Sequence, residues 1–294
     1  MIADVVGPWD WQAHPEVWFL VAAVVVLGWW AARVIGPKVV PAGTPVTTPF
    51  QRRAFVAATI LLLVSADWPM HDIAEDHLYS VHMLQHLLIT FIVPPLFLLA
   101  MPGWLARLLI LEGGFGARVL RRLTHPVVAG LIFNGLIALT HWSSVVSWSA
   151  EFGAFHYGVH VVLFAAALAM WMPVVAPLPE LRLSPPGQML YLFLMSIIPT
   201  IPAAWLTFAD GVVYPSYDDG FELWGVSVRS DQQTAGLIMK LLGGFYIWGI
   251  IVVKFFSFTR EQNRQNQRLR PVAGRLPDGR SAPVEPPQVT EPVE

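Results

Sequence analysis

Residues 77–101 read HLYSVHMLQHLLITFIVPPLFLLAM. At about 1.5 Å of rise per residue, this run is long enough to cross the apolar core of a bilayer, which takes about 20 residues. Six more apolar runs flank it, at 17–36, 53–69, 126–147, 152–175, 187–209 and 232–256. The 294-residue chain is 55% hydrophobic and 13% charged, far below the roughly one-quarter charged content of soluble domains. The fold class is therefore all-α, a polytopic bundle of about seven transmembrane helices occupying residues 17–258. An outer N-terminal segment (1–16) precedes the bundle. A polar, Pro-rich cytoplasmic tail (259–294) follows it, disordered from about 265 apart from a short helical extension through Arg268. No basic residue precedes the first apolar run, so that run reads as a retained helix and not a cleaved signal.

Basic residues set the orientation. Lys38, Arg52, Arg53, Arg107, Arg118, Arg121, Arg122 and Arg182 fall in alternate connections, and the tail carries six arginines from Arg260 to Arg280. The opposite side carries acids such as Asp10, Glu16, Asp72, Glu75, Asp76 and Glu151, with Arg229 as its exception. The positive-inside rule then puts the N-terminus out and the C-terminus in. Trp9, Trp11, Trp18, Trp142, Trp148, Tyr214, Tyr217 and Trp224 form an aromatic rim. Between the third and fourth runs, residues 103–123 read as an amphipathic interfacial helix broken at Gly113-Gly114. A net charge of −2 argues against nucleic acid as a partner. The absence of cysteine removes disulfides, thiolate metal sites and covalent haem attachment.

The chemistry lies in the histidines. His82 and His86 stand four apart on the third helix, as do His156 and His160 on the fifth, so each pair shares a helix face. Counted from the outer helix ends, the first pair lies about 7 and 14 Å deep and the second about 6 and 12 Å. His141, on the outward-running fourth helix, lies about 9 Å from the same surface. Polar side chains at such depth should face the bundle and find partners. Three readings are open: a metal or haem site, structural hydrogen bonding, and a proton path. Imidazoles without thiolates suit copper. Met70 and Met83 are near in sequence, but Met83 is expected to point away from the His82/His86 face.

His71, His77, Asp72, Glu75 and Asp76 form a candidate cation entrance or a solvated acidic loop. His125 falls on the inner side, and His14 has no assigned role. Asp231 is expected to cap the seventh helix, and Lys240 to pair with Asp67 or Asp210. Pro94-Pro95 and the Pro199/Pro202 pair should kink the third and sixth helices.

His82-Met-Leu-Gln-His86 with Pro94-Pro95, the His156/His160 pair and Asp231-Gln-Gln-x-Ala-Gly-Leu-Ile-Met239 together resemble the CtaG-type cytochrome c oxidase assembly factors, a family associated with caa-type oxidases. The resemblance covers about Asp67 to Phe256. At Lys240 the family pattern leads one to expect a hydrophobic or aromatic residue. The resemblance implies a multi-pass bacterial plasma-membrane protein that matures a haem–copper oxidase by handling copper. It implies His82, His86, His156 and His160 as ligands and an oxidase subunit as partner, with no catalysis of its own. The alternatives are a haem-binding electron carrier or oxidoreductase and, last, a metal or proton transporter.

Overall fold

The computed structural model describes residues 7, 9–112, 114–218 and 222–269. Gly113, Asp219 and the expected disordered tail from residue 270 lie outside the described residues. Within them the chain is helical, and six helices are long and apolar enough to cross a membrane: Pro15–Val39, Pro49–Asp76, Tyr79–Ala100, Gly153–Val175, Pro185–Thr207 and Val228–Arg268. A seventh candidate, counted fourth in chain order, joins Phe115–Leu123 to Pro126–Thr140 across a 71° bend. The residues expected to make an interfacial helix are helical over 103–111 and again over Phe115–Leu123. The seventh span runs further than its apolar run, and the helix carries through Arg268.

The third span is the most enclosed and packs against the second, fifth and seventh. The fifth also packs on the fourth, and the seventh on both halves of the sixth. Proline chemistry sets the level of the third span against the fifth. Pro94 has no N–H to give the carbonyl four residues earlier, that of Thr90. The third span widens there into a π-helical turn, Leu88–Ile92. The Trp171 indole N–H of the fifth span donates to the freed Thr90 carbonyl at 2.9 Å. One buried hydrogen bond thus locks the two histidine-bearing helices together one turn below His86.

Three expectations need correction. The fourth helix does not run through 147: it stops at Thr140, with His141 in the capping position, and restarts as Ser143–Glu151. The extended Trp142 nucleates the new helix, whose first backbone bonds return to its carbonyl. Residues 70–76 are not a solvated loop. They form the helix Met70–Asp76, held inward by Ile73, which packs with Leu78 and Leu223. The sixth span is broken and not merely kinked: its helix ends at Met195 and resumes at Thr200.

The Asp231-Gln232-Gln233 run is a bracket for the outer loops. Ser227, not Asp231, caps the seventh helix. Asp231 instead accepts the Tyr79 and Ser80 N–H groups at 2.6 and 3.1 Å, capping the third span from across the bundle. Gln232 accepts from the Val213 and Tyr214 N–H groups and donates to the Tyr214 carbonyl. Gln233 donates to the Ala209 carbonyl. Gly236 completes the bracket. A Cβ there would sit 2.5 Å from Thr207 Oγ1, 2.7 Å from the Ala203 carbonyl oxygen and 2.8 Å from the Thr207 nitrogen. Two of these are backbone atoms, so Gly236→Ala must push the sixth and seventh spans apart. We expect a loss of about 2 kcal/mol, read as a lower thermal midpoint in detergent, and an unchanged midpoint would refute so close a contact.

Candidate metal centre

The two histidine pairs meet. Ring centroids are 4.4 Å apart for His82–His86, 4.3 Å for His156–His160 and 4.7 Å for His86–His160. Across the diagonal, His82 lies 5.8 Å from His156 and 5.9 Å from His160. All four line one cavity of about 30 Å³ together with His141, Glu75 and Tyr217. The Nε2 atoms of His86, His141 and His160 are buried and have no hydrogen-bond partner among the described residues. Leaving such groups unpaired is costly, which makes this cavity the candidate site for a guest that would satisfy them.

Neighbouring acceptors set the tautomers. His141 Nδ1 lies 2.7 Å from the Ile137 carbonyl, which can only accept, so the proton sits on Nδ1 and Nε2 carries a lone pair. His82 Nδ1 lies 3.1 Å from Glu75 Oε1, which frees its Nε2 in the same way. Carbonyl or carboxylate support of the far ring nitrogen is typical of metal-ligating histidines. The same Glu75 oxygen lies 2.9 Å from His156 Nε2. His156 Nδ1 lies 2.7 Å from Ser149 Oγ, on the helix that restarts after His141.

Two groups of three stand close enough together to hold an ion: His82, His86 and His160; and Glu75, His156 and His160, the second only once His156 gives up the Nε2 proton it directs at Glu75. In each, the ligand atoms lie within 4.8 Å of one another. His160 belongs to both. Glu75 had been placed among the entrance acids, yet its side chain stands inside. Its four-residue spacing from His71 was the available signal, since on a helix that spacing aims both side chains one way. Nothing in the sequence announced Tyr217 or Ser149. Tyr217 lies outside the spans, and burial pushes its phenol well above the ordinary range, so it faces the cavity as a neutral O–H. Burial likewise pushes the Tyr214 phenol up to about 12, and this O–H donates to the His141 carbonyl, pinning the turn that presents His141. Met83, expected to point away, contributes to the cavity wall while packing with Val146 and Tyr214.

The remaining residues have other work. Gln85 Nε2 donates to the Ser65 carbonyl and hence presents N–H to His71 Nδ1 at 3.1 Å. His71 then keeps its proton on Nε2, the form of a hydrogen-bond donor and not a ligand. Asp72 Oδ1 pairs at 2.6 Å with His14 Nε2, giving His14 a partner that its sequence position did not suggest. His77 ends the helix Met70–Asp76 and does not line the cavity. His125 is exposed beside the opposite end of the fourth span. Asp231 is a cap, as described above. Lys240 pairs with neither Asp67 nor Asp210: its Nζ donates to Thr200 Oγ1 at 2.7 Å.

The family model for the cytochrome c oxidase caa3 assembly factor, Caa3_CtaG, matches residues 26–261. The chain belongs to this family. Its members' role is in the assembly of cytochrome c oxidase, and the match covers every cavity-lining histidine together with the Asp231–Gln233 bracket. No curated protein and no solved structure matches the chain.

Proposed function

We propose that this protein binds copper in the Glu75/His82/His86/His141/His156/His160 cavity, near the outer face of a bacterial plasma membrane, and hands it to a cytochrome c oxidase subunit. The observation that carries this reading is the convergence of three partnerless, buried Nε2 atoms on one small cavity inside a member of an oxidase assembly family. Six donors exceed what a three- or four-coordinate ion needs. An ion can therefore pass from one triad to the other through His160, exchanging ligands without being released, which is what transfer requires. The role is that of a carrier and not a catalyst. The cavity volume favours an ion over haem, since ligands of that size occupy pockets of several hundred Å³. The arginine-rich connections favour placing the histidine end outside.

Copper analysis of the full-length protein, purified after loading and washing, tests the reading. We expect about one copper per chain and no Soret band. A chain that retains no copper, or one that carries haem, overturns it. Glu75→Gln removes the carboxylate that supports two of the rings. We expect it to lower copper affinity by about 10- to 100-fold in a chelator competition, with the fold intact by circular dichroism. Unchanged affinity would show that Glu75 does not support the ligands.

A further inference from the structure

Lys240 is a polar group at membrane depth that lies outside the histidine cavity. It stands twelve residues into the seventh span, about 18 Å along the helix axis, and its side chain is exposed on the outside of the bundle. An ammonium in the hydrocarbon region is expensive unless it is paired. Its sole hydrogen bond among the described residues goes to Thr200 Oγ1, which itself donates to the Ser196 carbonyl. An ammonium has three donors, so two of them find no acceptor among the described residues. No carboxylate lies within ion-pair distance among the described residues.

The surroundings are built to receive one. The α-helix of the sixth span is interrupted by turns at 196–199, beside Lys240, where the Ser196 and Thr200 hydroxyls give the wall a polar character. A groove of about 30 Å³ opens between the sixth and seventh spans, lined by Ser196, Pro199, Thr200, Lys240, Gly244 and Trp248. Gly244, one turn beyond Lys240, has nothing within 4 Å of where a Cβ would stand, so another backbone can come close.

We propose that this groove is a lateral docking site for a transmembrane helix of a partner protein that carries one carboxylate near its midpoint. Charge complementarity selects the occupant. A second copy of this chain offers no free carboxylate: there is none between residues 79 and 100, 126 and 140, 153 and 175, 185 and 207, or 232 and 260, and Asp67, inside the second span, already accepts from the Trp18 indole and the Trp68 N–H. The proposal does not rest on the metal reading, and its test uses no metal.

The test measures energy transfer in phosphatidylcholine vesicles at pH 8, between the labelled full-length protein and a synthetic Leu/Ala transmembrane peptide bearing a central Glu or Gln. We expect the Glu peptide to bind about 5- to 30-fold more tightly than the Gln peptide. The preference should survive in Lys240→Arg, vanish in Lys240→Met and turn towards a Lys-bearing peptide in Lys240→Glu. Equal binding of the Glu and Gln peptides overturns the proposal. So does displacement of the Glu peptide by phosphatidylglycerol, which would assign the ammonium to lipid headgroups.

Discussion

Alanine at position 160 is expected to lower copper affinity by more than about 100-fold, the largest effect of any single histidine change. Losing a group that merely orients a ligand costs about 10- to 100-fold. His160 is more than that, because it is the member common to the His82/His86/His160 and Glu75/His156/His160 triads. His86→Ala leaves the carboxylate-containing triad whole, whereas His160→Ala leaves neither. The Nε2 of His160 is buried without a partner, so its removal breaks no internal hydrogen bond made by that atom, and the variant should fold and insert. The measurement is copper per chain and chelator competition on the purified variant, with His125→Ala as the control at the opposite end of the bundle. Parent-like copper in His160→Ala would remove the centre from consideration, whatever the protein's place in oxidase assembly.

The second large effect concerns stability. Asp231 is 2% exposed and satisfies the first two N–H groups of the third span from a helix 151 and 152 positions away in sequence. Truncating it leaves two donors orphaned at a buried helix start. An orphaned donor costs about 1–3 kcal/mol, so Asp231→Ala should lose about 3 kcal/mol, seen as a lower midpoint of thermal unfolding in detergent. Asp231→Asn keeps one acceptor oxygen and should recover about half of the loss. The damage should spread to the histidine cavity, because Tyr79, whose N–H is capped, stacks on His82 at 5.5 Å. A midpoint unmoved in both variants would mean that water replaces the carboxylate without penalty.

Both effects depend on residues that differ in how readily the sequence betrays them. Helical spacing and depth counting are enough to place His82, His86, His156 and His160 at one level, because a membrane-spanning helix converts residue number into height. The same count brings His141 to that level, although its helix ends seven residues earlier than hydropathy suggests. An apolar helix and an apolar cap look alike to a hydropathy window. Glu75 and Asp231 depart from their sequence expectations for a common reason. Each lies at a span boundary, where an acid reads as solvated or as the cap of its own helix. Which way a boundary residue turns is decided by contacts beyond its own helix, here His82, seven residues on, and the distant His156 for Glu75, and Tyr79 and Ser80 for Asp231. Lys240 was visible as an anomaly, but its Thr200 partner depends on a break in the sixth span that two prolines only hinted at.

The Trp171–Thr90 hydrogen bond has a bearing on which ions the cavity admits. Sliding the third and fifth spans past one another by a single residue would move the facing imidazoles about 1.5 Å, more than the difference in bond length between any two first-row metals. The gauge of the cavity is thus held by an indole and a carbonyl that touch no ligand. If the cavity holds copper as proposed, replacing Trp171 is expected to change its metal preference without altering a single donor atom.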